Sequence, residues 1–171
     1  MTRKFFAALL LSAAPLVAQA SLLGQSADCD MSPTGWSCSP GSAEVIDPGV
    51  EFELFLLGGD PFFSVDLSGS GLLLTSLSGI NLSGTGEVLT ISGLSGLLGA
   101  SLAFSEAPGF DGSDVSFGPT QLALVLGGSD WQAGQQARLE ISQQATPVAE
   151  PAPLVLLGLT LLILAGARRR S

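Results

Sequence analysis

The sequence predicts an all-β domain, an antiparallel sandwich or jelly-roll, held between two terminal segments of different character. Three observations lead there. Short runs in the middle of the chain alternate polar and apolar residues, the period of a half-buried strand. Gly, Ser, Asp and Pro break these runs about every 8 to 12 residues, the spacing of strands joined by turns. No central stretch sustains the 3.6-residue apolar period of a helix.

The first element is not part of that domain. Met1-Thr2-Arg3-Lys4 is a short basic start, Phe5 to Val17 is almost wholly apolar, and Ala18-Gln19-Ala20 has the small-x-small pattern that signal peptidase accepts. The apolar run is too short for a stable membrane span, and Pro15 interrupts it. Residues 1–20 are therefore expected to be a signal peptide, helical across its apolar part. Cleavage after Ala20 leaves Ser21 as the mature N-terminus.

Residues 21–145 are expected to form the exported β domain. Cys29 and Cys38 bracket a segment in which Pro33 and Gly35 allow the chain to reverse. They are too few for a zinc site in a chain without histidine, and a close pair in an exported chain reads as a disulfide. Closing a loop of about ten residues is worth about 2–3 kcal/mol on chain entropy, so the bond is expected to staple an N-terminal loop.

The predicted strands follow in order. Glu51 to Leu56 begins by alternating, and Phe63 to Ser68 alternates throughout, with a turn at Gly59-Asp60-Pro61. Further strands are expected over 71–77, 87–92, 101–106, 113–117, 121–126 and 137–143, separated by turns such as Gly69-Ser70-Gly71 and Gly127-Gly128. Leucine-Ser-Gly triplets recur from Leu67, Leu77, Leu82 and Leu94, with a variant from Ile91. Their irregular spacing argues against a solenoid and for strand ends running into turns.

Charge narrows the partners. Between Ser21 and Ala149 there are 14 acids and one base, Arg138, a net charge of −13. Nucleic-acid binding needs Lys and Arg to displace counterions, so no nucleic acid is expected. Cations, neutral glycans and proteins remain, and the acidity also keeps a leucine-rich domain in solution.

Catalytic residues are not expected. There is no His for a conventional triad, and the only lysine, Lys4, lies in the leader. Glu51 and Glu53 share one strand face by period two, about 7 Å apart along the strand, which alone is weak support for glycoside chemistry. No metal and no other cofactor is expected. Asp28, Asp30, Asp111 and Asp114 are oxygen donors of the type Ca²⁺ takes, but they do not match an EF-hand loop. Trp36 and Trp131 are candidates for stacking on sugars, against the commoner role of packing in the core.

The last segment, 146–171, carries the most specific signal. Thr146-Pro147-Val148-Ala149-Glu150-Pro151-Ala152-Pro153 is proline-rich and should be extended. Leu154 to Ala167 is an uncharged run of 14 residues, followed by Arg168-Arg169-Arg170 and a final Ser171. As a transmembrane helix it reaches about 21 Å, short of the roughly 30 Å hydrocarbon core, a gap met by snorkelling arginines and local thinning. The positive-inside rule keeps the arginines cytoplasmic and the domain outside.

Val148, Glu150, Pro151 and Ala152, the helix over 154–167 and the basic end Arg168, Arg169 and Arg170 resemble the PEP-CTERM tail of exosortase substrates. Ala149 stands where the first proline of the Pro-Glu-Pro motif falls. The resemblance implies a Gram-negative host that makes an exopolysaccharide, and a membrane exosortase that cleaves near Glu150-Pro151. It implies an inner-membrane intermediate that ends at the cell surface or in the extracellular matrix. The expected function is that of an exported, non-enzymatic surface or matrix protein associated with exopolysaccharide and biofilm. A secreted carbohydrate-binding or carbohydrate-active module delivered by the same tail is the alternative. Signal peptidase and exosortase are the expected processing partners.

Overall fold

Period-two alternation governs burial in the central strands. In β5 (Pro61–Ser68) the side chains of Phe63, Val65 and Leu67 are inside, and in β6 (Gly71–Ser76) those of Leu72, Leu74 and Ser76. Ala137, Leu139 and Ile141 do the same in β13 (Gln136–Gln143), Leu89 and Ile91 in β8 (Val88–Ser92), and Leu122 and Leu124 in β11 (Gln121–Val125). Each fully buried Leu, Ile or Phe contributes about 1.5–3 kcal/mol by leaving water, so this alternation fixes which face of each strand turns inward.

The computed structural model describes residues 21–144 apart from Thr34. Ala20–Gln144 form one compact unit. The signal helix expected over 1–20 and the transmembrane helix expected over 154–167 lie outside the described residues.

The described domain is all-β and antiparallel. One sheet has five strands in the order β10 (Val115–Gly118), β11, β8, β1 (Ser26–Ser32), β3 (Ser42–Glu44). The other has six: β2 (Trp36–Ser39), β4 (Phe52–Leu56), β5, β6, β13, β9 (Leu97–Ser105). Both contribute to one hydrophobic core. A two-stranded ribbon of β7 (Ile80–Asn81) and β12 (Asp130–Trp131) completes the domain.

The predicted central strands are present, with shifted bounds. The segment expected over 101–106 begins at Leu97, and the one over 113–117 opens with a 3₁₀ turn at Gly112–Asp114. Pro61 starts β5 instead of closing the turn, and the reversal falls on Leu57 and Gly58, both with positive φ. The Leu-Ser-Gly triplets do sit where strands end. Leu67, Leu82, Ile91 and Leu94 are buried, while Leu77 is exposed. Gly93 shows why glycine follows: its φ is +82°, and a Cβ there would lie 2.6 Å from the Ser26 carbonyl oxygen.

The N-terminal segment is a correction. Instead of a stapled loop it supplies β1 and β3 to the five-stranded sheet and β2 to the six-stranded sheet. The Cys29–Cys38 disulfide therefore ties one sheet to the other, with the two Cα atoms 5.8 Å apart.

Candidate functional site

Aromatic rings fill one part of the core in series. Trp131 meets Phe63 edge to face at 5.2 Å and Phe110 at 5.6 Å. Trp36 meets Phe62 at 5.9 Å and Phe63 at 6.4 Å. Trp131 has no solvent exposure, and its Nε1–H donates to Ser129 Oγ at 2.7 Å, while that hydroxyl donates to the Leu126 carbonyl. Trp36 is buried as well. Neither indole face is open to a sugar, so both are core side chains.

The two glutamates expected on one strand face are separated in role. Glu51 is buried just before β4; its Oε1 accepts from Ile46 N at 2.9 Å and its Oε2 from Leu67 N at 2.6 Å. A carboxylate that holds two backbone donors cannot act with Glu53, which sits half-buried in the β4 ladder opposite Ser64. Leu67 lies past Val65, the partner of the first β4 residue Phe52, and the glutamate supplies the acceptor that another strand residue would have given.

The acidic candidates lie apart. Asp28 and Asp30 face outward on β1, in register with Ser92 and Thr90 of β8. Asp111 caps the 3₁₀ turn: its Oδ1 accepts from Ser113 N and Ser113 Oγ, each at 2.7 Å, and Asp111 N donates to Asp114 Oδ2 at 2.8 Å. These hydrogen bonds, side chain first and backbone second, hold the Asp111 carboxyl below its ordinary pKa. Among the described residues, no three of His, Cys, Asp and Glu gather to hold a metal ion.

Val148, Glu150, Pro151, Ala152, Arg168, Arg169 and Arg170, and the leader residues Ala18 and Ala20, lie outside the described residues.

One concavity occupies the outer face of the six-stranded sheet, where β13 meets β9. Its volume is about 450 Å³, and Arg138, Glu140, Ser142, Ser101, Gly99 and Ser70 line it. The ladder sets the positions: Glu140 lies between Ser101 on one side and Gly71 on the other, Ser142 opposite Gly99, and Arg138 opposite Phe104. Small residues thus flank Glu140 and Ser142, whereas Arg138 lies between Leu73 and Phe104, the latter at 41 % exposure. Two bulges frame the trough, one passing Ala103 and the other Leu98 on β9. Bulges bend an edge strand and re-aim its side chains. The sequence marks Arg138 as the domain's lone base, but the trough depends on which residues the ladder sets beside it.

Comparison with known protein families, with curated proteins and with solved structures finds no match to this chain.

Proposed function

We propose that the chain is an exported surface or matrix protein of a Gram-negative bacterium, processed at both ends and associated with exopolysaccharide. It is non-enzymatic: its work is done by the displayed β domain. The carrying observation is the order of features after Thr146: a proline-rich stretch holding Glu150-Pro151, an uncharged run over 154–167, then three consecutive arginines. That order resembles the PEP-CTERM pattern, with Ala149 in place of its first proline, and a physical task can be assigned to each part. Prolines disfavour helix in the residues before them, which suits cleavage by a protease; the apolar run suits a pause in the membrane, and the arginines suit a fixed direction.

Two further observations support the reading. Disulfides persist outside the cytoplasm, and Cys29–Cys38 is one. Five of the six basic residues, Arg3, Lys4, Arg168, Arg169 and Arg170, fall in the two segments to be removed. The missing histidine and the lone leader lysine support a non-enzymatic role, since the commonest general bases are lacking.

The test is Glu150→Ala in the host that makes the protein. The variant is expected to stay membrane-held while the parent is released to the surface or matrix. Unchanged maturation of Glu150→Ala contradicts the proposal.

A further inference from the structure

We propose that the trough on the outer face of β13 and β9 binds a neutral, hydroxyl-rich glycan. The proposal deepens the matrix reading by naming the sugar class the domain engages. It rests on that reading only for its setting, because binding is a property of the folded domain.

The trough is lined by small residues, Gly99 among them. Gly99 sits inside a strand, where glycine costs stability unless something must come close. A Cβ there would lie 2.6 Å from Ser142 Oγ. With Gly99 and Ser101 on one side of β13 and Gly71 on the other, no large side chain covers Glu140 or Ser142. The volume of about 450 Å³ falls within the range of small-ligand sites, roughly 300–1,000 Å³.

Its chemistry combines both hydrogen-bonding senses. Arg138 presents a fork of N–H donors with no acceptor, and ionised Glu140 presents acceptors only. They project from the same face of β13 two residues apart, about 7 Å along the strand. Ser70, Ser101 and Ser142 add hydroxyls that donate or accept. Sugar hydroxyls also donate and accept, so one ring can satisfy both charged groups. Phe104, opposite Arg138 and half-exposed, lies just past the lining, where a ligand longer than the trough meets an aromatic side chain.

The field of the domain selects against charge. With one base against 14 acids between Ser21 and Ala149, an anionic polymer meets net repulsion as it approaches, and Arg138 has Glu140 beside it. A cationic ligand gains from that field but would leave the arginine fork unpaired. A neutral glycan incurs neither cost.

The experiment uses the full-length protein, purified in a detergent without a sugar headgroup, on immobilised neutral glucans, mannan and galactan, with a polyuronate and a polyamine as charged probes. Saturable binding to at least one neutral polysaccharide is expected. Arg138→Gln, Glu140→Gln and Phe104→Ala should each weaken it about tenfold or more, the loss of one charged hydrogen bond or one packed ring. Ser101→Phe, which fills the trough from an exposed position, should abolish it, and Asp30→Asn on the opposite sheet should leave it unchanged. A preserved near-ultraviolet signal from buried Trp131 shows that the variants fold. Failure to bind any neutral glycan, preference for a charged probe, or equal binding by folded trough variants overturns the proposal. None of these results bears on Glu150 processing, so the two claims fail separately.

Discussion

Glu51 Oε2 accepts a 2.6 Å hydrogen bond from the backbone N–H of Leu67, sixteen residues along the chain. The other oxygen accepts from Ile46 N, so one buried acid fixes the loop entering β4 against the far end of β5. Each buried donor left without a partner costs about 1–3 kcal/mol. Glu51→Gln keeps the shape but turns an NH₂ toward one of the two donors. It is expected to lower the unfolding free energy by about 1–3 kcal/mol in urea denaturation. An unchanged midpoint would show that the carboxylate does not carry this loop.

The disulfide is expected to act on the β domain as a whole, since Cys29 and Cys38 belong to different sheets. Replacing both by serine should cost about 2–3 kcal/mol by the chain-entropy estimate for a loop of this length. The comparison is equilibrium unfolding of the oxidised parent against the double variant. Equal stability would show that the two sheets need no tether.

Asp66 gives a prediction in pH. It faces outward on β5 opposite Leu73, and partial burial, then the nearby Asp47 charge, raise its pKa above the ordinary carboxylate value. A carboxyl with a raised folded-state pKa favours the fold when protonated. The stability it contributes is present below its unfolded pKa and is lost as pH rises through the folded value. Asp66→Asn should therefore raise the thermal midpoint near neutral pH, and the gain should vanish near about pH 3. An equal gain at both pH values would assign the effect to something other than this charge.

Legibility in the sequence followed side-chain chemistry. Segments such as Phe63 to Leu67 carry bulky apolar residues at every second position, and burial keeps that period. The β1 segment, Ser-Ala-Asp-Cys-Asp-Met-Ser, hides its alternation because Ala27 and Met31 are its only deeply buried residues, and Ser and Asp are poor strand formers. Its place between β8 and β3 is set by pairing, which local propensity does not encode. The two-residue strands β7 and β12 are too short to leave a period.

The candidate sites divide in the same way. Glu51 and Glu53 share a period, but Glu51 turns inward, where its carboxylate accepts from Ile46 N in the same loop and from Leu67 N sixteen residues away. Arg138 is conspicuous by charge alone, whereas Phe104, Ser101 and Gly99 come to lie opposite Arg138, Glu140 and Ser142 only through the β13–β9 register and its bulges. The proposed terminal signals are opposite in kind: a linear pattern of residues needs no fold to be legible, and both lie outside the described residues.

The intact mass of the mature protein, taken from the surface or matrix of its own host, tests the central claim most directly. Processing at both ends leaves a chain that begins at Ser21 and ends near Glu150, without the apolar run and the three arginines. A mature mass that still includes Leu154 to Ser171 would contradict it.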